Sequence, residues 1–193
     1  MEYITFNKKN LQIVDKINSN TYKVLFKNKN CLLLTFSEDD FNEFFKGYKE
    51  LKLSGIKIAK LLKKDKKEYK VIIECLSYEK TALDLILNDE INDLYLREIF
   101  KIAWYAKHAN INIDYKPHNF ALINEEFYYL PLKASRGFDK AKSFELEGIR
   151  YWYYTKEFND YCHTRNIQID KSKIKDEYKT NKEIVLAVCR YQR

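Results

Sequence analysis

The spacing of apolar residues changes near residue 76, and this change constrains the fold more than any other feature. Up to that point, apart from one helical segment, the chain reads as short segments rich in β-forming residues, separated by Asn, Ser and Lys. The first three are 11–17, 21–26 and 30–36. Beyond residue 76 the apolar residues mostly recur at helical intervals. We therefore predict an α+β chain with strands gathered in its first part and helices in its second.

One helix should interrupt the strands. Ser37 is a suitable N-cap, acidic residues follow it, and Ser54-Gly55 can end the helix. Five apolar residues between them form one helical face: Phe41, Phe44, Phe45, Tyr48 and Leu51. Two further strands are predicted at 56–62 and 69–76. The first part is thus a five-stranded antiparallel sheet with a helix after its third strand.

The second part is predicted to contain four helices and one small hairpin. The hairpin should turn at Asn124-Glu125. The helices are predicted at 81–87, 91–108, 143–161 and 171–191.

The charge balance permits an anionic partner without requiring one. The net charge is +7 and the pI is about 9.0. The densest basic run, 60–67, contains a single acid, Asp65. It is either a solvated turn or a patch that contacts phosphate. A nucleic-acid-binding protein is therefore one interpretation, although no recognised nucleic-acid motif is present.

The apolar runs and the cysteines indicate the cellular compartment in which the chain is expected to fold. The first residues, MEYITFNKKN, lack the apolar region of a signal peptide, and no apolar run approaches transmembrane length. The four cysteines are far apart and form no CxxC pair, and the histidines show no metal-ligand spacing relative to them. We expect a reduced, cytoplasmic protein without a membrane span.

The segment DYKPHN, residues 114 to 119, carries the strongest functional signal. Asp, Pro and Asn all favour turns, so one interpretation is an ordinary turn leading into the hairpin. The same residues match D-x-K-P-x-N, and the segment resembles the catalytic loop of the protein-kinase-like superfamily. Its position after a long helix and before a short hairpin agrees with that resemblance. In its short second part the chain resembles the small atypical branches of the superfamily, RIO-type or lipopolysaccharide-kinase-like proteins, more than a full regulatory protein kinase.

The resemblance implies a two-lobed, kinase-like domain. Residues 1–76 would form the N-lobe and 77–193 the helical C-lobe, with a catalytic-type loop at 112–120. In such proteins a loop Asp orients the acceptor hydroxyl and receives its proton. Three residues would carry the chemistry: Asp114 as base, Lys116 as stabiliser of the transferred phosphoryl group and Asn119 as metal ligand. ATP and Mg²⁺ are the implied cofactors, and the partner would be a protein or small-molecule substrate.

Other positions of the family pattern are altered in this chain. Thr35 stands where the resemblance places a phosphate-binding Lys, and Pro131 where it places a metal-binding Asp. Gly47 is aligned with the helix Glu that would pair with that Lys. The resemblance assigns nucleotide contacts to Thr35 and to backbone groups of Glu74 and Leu76.

The resemblance also assigns anchoring of the loop to Glu145 and Glu147, on a helix behind it. An ordinary structural role remains open both for the segment with the nucleotide contacts and for the segment with these anchors. The segment 71–76 could be an ordinary buried strand, and 143–154 an amphipathic core helix.

Two main interpretations follow. The favoured one is a pseudokinase, a kinase-like protein whose cleft binds a nucleotide or a partner without efficient phosphoryl transfer. The alternative is an active atypical phosphotransferase with Asp114 as base. Both predict that the side chains of Asp114 and Asn119 converge on a cleft below 74–76.

Overall fold

The computed structural model describes residues 1–174 and 177–191. In this part of the chain the expected α+β class is confirmed. The strands are β1 (Tyr3–Phe6), β2 (Lys9–Asn18), β3 (Thr21–Phe26), β4 (Lys29–Thr35), β5 (Leu61–Asp65), β6 (Lys70–Glu74), β7 (Ile111–Asn112), β8 (Phe120–Ile123), β9 (Glu126–Tyr129) and β10 (Ser135–Arg136). The helices are α1 (Glu38–Ser54), α2 (Ala82–Leu87), α3 (Asp93–His108), α4 (Lys156–Thr164) and α5 (Glu177–Tyr191). Short 3-10 helices lie at Pro117–Asn119, Lys140–Lys142, Gly148–Trp152 and Lys171–Lys173.

The first six strands form one antiparallel sheet in the order β1-β2-β3-β4-β6-β5. The predicted sheet had five strands, and β1 is the additional one. Its four residues, YITF, were too short a run to predict from sequence, but they pair along β2 from Tyr3–Gln12 to Phe6–Lys9. The predicted strand at 56–62 begins only at Leu61, because the residues before it bond to β9 instead: Tyr129 donates its N–H to the Lys57 carbonyl oxygen at 2.8 Å.

The sheet curls until its two edges meet. The carboxylate of Asp65, at the end of β5, accepts a hydrogen bond of 2.7 Å from the backbone N–H of Asn7, beyond the end of β1. Lys70 Nζ donates to the Thr5 carbonyl oxygen at 2.8 Å. The curl encloses a small core of five buried side chains: Phe6, Val24, Cys31, Leu33 and Ile72.

Helix α1 covers the opposite face of the sheet, and its predicted bounds are confirmed. Ser37 Oγ accepts the Asp40 N–H, and Gly55 ends the helix with a left-handed φ of 87°. The helix buries its apolar face in a second core made of Phe41, Phe44, Ala59, Val71, Ile73 and Leu132. Leu132 comes from the segment after β9, so this core joins the sheet to the second part of the chain.

The second part is built on α3 and on a group of aromatic side chains that meet edge to face. The predicted hairpin is confirmed as β8 and β9, with both turn residues, Asn124 and Glu125, at positive φ. The predicted short helix is confirmed as α2, which begins with a capping box between Thr81 and Asp84. Four large rings fill the centre of this core: Phe120, Phe127, Phe144 and Trp152.

The helix predicted over 143–161 is wrong as a single element. The chain forms turns, a 3-10 helix at Gly148–Trp152 and then the separate helix α4. Thr155 causes the break, because its hydroxyl accepts the N–H of Phe158 at 3.0 Å and donates to the Arg150 carbonyl oxygen at 2.6 Å. It therefore caps a new helix rather than continuing an old one.

The last predicted helix, 171–191, is realised as a 3-10 turn and α5, while residues 175–176 within it lie outside the described residues. In the described part of the chain, no helix combines the length and apolar character that crossing a membrane requires.

Candidate functional site

The DYKPHN loop is fixed at both ends by short strands. After α3 the chain turns through Asn110, at a positive φ of 53°, into β7. Strand β7 pairs with β10, so the start of the loop is tied to the segment that follows the hairpin. Pro117 begins the 3-10 helix, which leads directly into β8. The loop therefore has a defined shape, fixed in part by a segment that follows it in the chain.

Asp114 closes the first turn of the loop and still exposes its carboxylate. Oδ1 accepts the backbone N–H of Lys116 at 3.1 Å, and Oδ2 lies 3.8 Å from Lys116 Nζ. Its own backbone N–H donates to the Tyr129 hydroxyl at 3.1 Å. The Asp114 side chain is 49% exposed and that of Lys116 40%. An ion pair with this exposure contributes little stability, so the charges stay accessible to a ligand.

Asn119 turns inward. Its side chain is 6% exposed, and Nδ2 donates to the Asp114 carbonyl oxygen at 3.2 Å. Its backbone N–H donates to Lys116 and its carbonyl oxygen accepts from Leu130. The structure thus joins the Asn119 amide to the backbone of Asp114.

A cavity of about 410 Å³ lies between α1, the loop and the segment after the hairpin. Asp114 and Lys116 line it, and Asn119 does not. Further charged side chains on its wall are Glu43, Lys133, Lys142 and Glu147. Cations and carboxylates are therefore mixed around Asp114. Such a wall suits a ligand that carries an anionic group together with hydrogen-bond donors.

Burial raises the pKa of two tyrosine hydroxyl groups, those of Tyr129 and Tyr115, which line this cavity. It raises the pKa of Tyr129 to about 12, a rise that the hydrogen bond from the Asp114 N–H partly opposes. The Tyr129 hydroxyl therefore stays protonated at neutral pH and serves as a neutral acceptor beneath the loop. Burial also raises the pKa of Tyr115 well above its usual range.

The residue after the position where the resemblance places the metal-binding Asp packs in the apolar core. Pro131 precedes Leu132, which is 3% exposed beneath α1 although its φ is +51°. The next residues lie against Gly47 of α1. A Cβ at Gly47 would lie 3.0 Å from the Ala134 nitrogen and 3.2 Å from its oxygen. Gly47 is therefore required for close contact between the helix and this backbone.

The predicted nucleotide contacts are spread along the sheet. Thr35 is paired with Lys70, whereas Glu74 is paired with Cys31, four rungs away. The Thr35 hydroxyl donates to the Asn20 carbonyl oxygen at 3.3 Å, and the Glu74 N–H donates to the Lys60 carbonyl oxygen at 2.8 Å. Because the Glu74 N–H is already bonded within the sheet, only the Glu74 carbonyl group could make the predicted nucleotide contact.

Leu76, the third predicted nucleotide contact, packs against the core beneath α1. None of Thr35, Glu74 and Leu76 lines the cavity at Asp114.

The predicted anchors lie on different sides of the loop. Glu147 lines the cavity at Asp114, and Glu145 lines a separate cavity with Arg97 and Trp104 on α3. The described contacts that hold the loop from behind come from the same segment but from other residues: Trp152 Nε1 donates to the Tyr115 carbonyl oxygen at 2.7 Å.

Gly148, also missed by the sequence analysis, presses on the same tyrosine. A Cβ there would lie 2.7 Å from Tyr115 Cβ. The sequence signals for these contacts were the tryptophan and the glycine themselves, but neither identifies its partner.

A second cavity, of about 580 Å³, opens on the other side of the same loop. It shares Asp114 and Lys116 with the first. His118 Nδ1 lies 2.7 Å from the Tyr161 hydroxyl, and the Arg165 guanidinium lies 5.7 Å from the Tyr161 ring centroid. Burial lowers the pKa of His118, and the charge of Arg165 lowers it further. The loop thus separates two cavities, and Asp114 lines both of them.

Comparison with protein-family models and with curated proteins found no match to this chain. The kinase-like resemblance therefore rests on DYKPHN and on the order of the elements around it.

Proposed function

We propose that this chain is a two-lobed, kinase-like protein whose Asp114 cavity binds a nucleotide or a partner without efficient phosphoryl transfer. The element order supports the kinase-like assignment. A helix interrupts the strands, α3 precedes the loop, and a hairpin follows it, as in the arrangement that the resemblance implies.

One observation carries the proposal of impaired transfer. Pro131 stands where the resemblance places the metal-binding Asp, and the residues after it are packed under α1. The Asn119 amide pins the loop, because its Nδ2 donates to the Asp114 carbonyl oxygen, and this bond does not use Oδ1, the atom that could hold a metal. Asp114 in turn bonds the Lys116 N–H. The spacing D-x-K-P-x-N thus has a structural purpose in this chain: it builds a rigid loop.

The chain lacks a carboxylate at the second position where the resemblance places a ligand for Mg²⁺. Mg²⁺ requires near-octahedral oxygen ligands, usually one or two carboxylates besides phosphates and water. The position of the second carboxylate is Pro131, and the residues after it are packed under α1. Within residues 1–174 and 177–191, no group of three or more His, Cys, Asp or Glu side chains is arranged to hold a metal ion. We therefore assign no reaction step to that ion.

The alternative is an active atypical phosphotransferase. The exposed carboxylate of Asp114 favours it, because a base must reach the hydroxyl of an acceptor. The two interpretations differ in what Asp114 does once a nucleotide is bound, and this difference can be measured.

The test combines binding with transfer. The melting temperature of the purified protein is measured with ATP, alone and with Mg²⁺ or Mn²⁺, and transfer of the γ-phosphate to the protein and to generic acceptors is followed in parallel. Asp114→Asn is the informative variant, because it keeps the acceptor for the Lys116 N–H. Asp39→Asn, an exposed carboxyl of α1, is the matched control.

The proposal expects ATP to raise the melting temperature without a requirement for metal and without transfer. Asp114→Asn, but not Asp39→Asn, should alter that rise. Metal-dependent transfer that Asp114→Asn abolishes would establish the active enzyme instead. If ATP leaves the melting temperature unchanged, nucleotide binding is excluded and protein partners remain as occupants of the cavity.

A further inference from the structure

Five lysines from two distant segments are brought together at the closure of the curled sheet. Lys8 lies in the β1–β2 turn and Lys9 begins β2, while Lys64, Lys66 and Lys67 lie at the end of β5 and in the turn after it. Asn7 and Asp65, which join these segments, are 58 residues apart in sequence. All five lysines are exposed. We call them the lysine surface.

Asp65 holds the two segments in place. Besides the Asn7 N–H, its carboxylate accepts the backbone N–H groups of Lys67 at 3.0 Å and Glu68 at 3.2 Å. The Asn7 side chain also donates to the Lys64 carbonyl oxygen at 3.4 Å. Asn7 and Lys8 both have positive φ, as a tight two-residue hairpin turn requires. The backbone beneath the lysine surface is thus well defined. Of the five ammonium groups, that of Lys64 lies over the Phe45 ring of α1, 5.2 Å from its centroid.

The positive charge of this surface is not neutralised within the described residues. No ion pair among them joins any of the five lysines to an acid. The neighbouring Glu68 is paired with Lys70 at 2.6 Å. Asp65 is 5% exposed and is occupied by backbone donors. Like charges held close together repel one another, and a polyanion bound across them would relieve that repulsion.

We propose that the lysine surface binds the phosphate backbone of nucleic acid without reading its sequence. Lysines are mobile point charges that suit a series of phosphates, and they lack the fixed geometry that reads base edges. An anionic membrane is disfavoured by the apolar side chains at the two turns, which point inward: Phe6 is 2% exposed, and the Tyr69 ring packs against Phe41. A membrane-binding surface normally inserts such side chains into the lipid.

The test measures binding to a short mixed-sequence DNA duplex by fluorescence anisotropy at two salt concentrations. If five phosphates are contacted, the affinity should fall about 500-fold between about 50 and 200 mM monovalent salt. The triple variant Lys8→Gln, Lys66→Gln, Lys67→Gln should leave about two contacts and a fall of about tenfold. It should also bind more weakly than the wild type at the lower salt concentration.

The matched control is Lys107→Gln, Lys140→Gln, Lys156→Gln. It removes the same charge from exposed positions in the second part of the chain and should retain the wild-type salt dependence. The melting temperatures of both variants show whether each is folded. The proposal is overturned if the wild type does not bind the duplex, or if both variants lose the same affinity. Binding to phosphatidylserine vesicles that depends on the same lysines, without binding to the duplex, would assign the surface to membranes instead.

Discussion

Asp65 and Asp114 both organise a turn by accepting backbone N–H groups, yet their surroundings differ. Asp65 is buried, and its carboxylate accepts three N–H groups, one of them from the far edge of the sheet. Asp114 accepts one N–H and is 49% exposed on the wall of a cavity. A carboxylate whose oxygens are all occupied stabilises the fold, whereas one with a free oxygen can also meet a ligand.

The largest effect is expected for Asp65→Ala. Three N–H groups would lose a charged acceptor in a buried place, so the free energy of unfolding should fall by about 3 kcal/mol. Urea unfolding at neutral pH measures this loss. A loss below about 0.5 kcal/mol would mean that the edges of the sheet meet without help from Asp65.

Asn119→Ala should have the next largest effect. It removes the donor to the Asp114 carbonyl oxygen and leaves a small void, at a cost of about 2 kcal/mol in unfolding free energy. Asn42→Ala, which removes an exposed amide on α1, is the control and should be close to neutral. If the two variants unfold alike, Asn119 does not hold the loop, and its amide would be free to serve a ligand.

Acid should lower the free energy of unfolding by protonating Asp65, and this loss should be smaller than the loss in Asp65→Ala. Burial raises the pKa of Asp65, but the N–H groups of Asn7, Glu68 and Lys67 lower it more, and the net result is a lowered pKa. Its contribution is therefore full above the unfolded-state pKa, about 3.9, and is lost as the pH falls through the lower folded-state value. A protonated carboxyl still accepts hydrogen bonds, so the loss is partial.

Asp65→Asn provides the reference for this pH effect, because it cannot titrate. Urea unfolding of both proteins at about pH 7 and pH 3 should show a larger drop for the wild type than for Asp65→Asn. Equal drops would show that other carboxyl groups account for the acid sensitivity.

The smallest effect is expected for Asp114→Asn. The amide oxygen can still accept the Lys116 N–H, and an exposed ion pair contributes little, so the change in unfolding free energy should stay within about 0.5 kcal/mol. Thermal and urea unfolding test this directly. A loss as large as that of Asn119→Ala would make Asp114 a structural residue like Asp65 and would weaken its assignment to ligand binding.

The elements that were predicted well are those with local signals. Helix α1 has its cap, its apolar face and its terminating glycine within its own sequence, and the β8–β9 hairpin has its turn residues. The segment 143–161 was predicted wrongly because it was interpreted as one helix, whereas Thr155 caps a new helix. Strand β1 was missed because a four-residue strand is stabilised by its partner and has little signal of its own.

At the site, the sequence identified the loop but not the directions of its side chains. The pattern predicted that the side chains of Asp114 and Asn119 converge on a cleft below 74–76, but Asn119 bonds the Asp114 backbone and does not line the cavity that Asp114 lines. Pattern alone could not show that Asn119 faces the loop and Asp114 the cavity, because that orientation depends on Tyr129 and Trp152, which contact the loop from other segments.

Local sequence signals sufficed for the division into strands and helices, the ends of α1 and the position of the loop, because these follow from propensities and caps within a few residues. The tertiary structure alone decided the closure of the sheet at Asp65, the gathering of the five lysines and the burial of Asn119. Each of these joins groups that are distant in sequence or depends on which face of a segment is buried. Their energies come from contacts that exist once the chain has folded, and no local pattern records them.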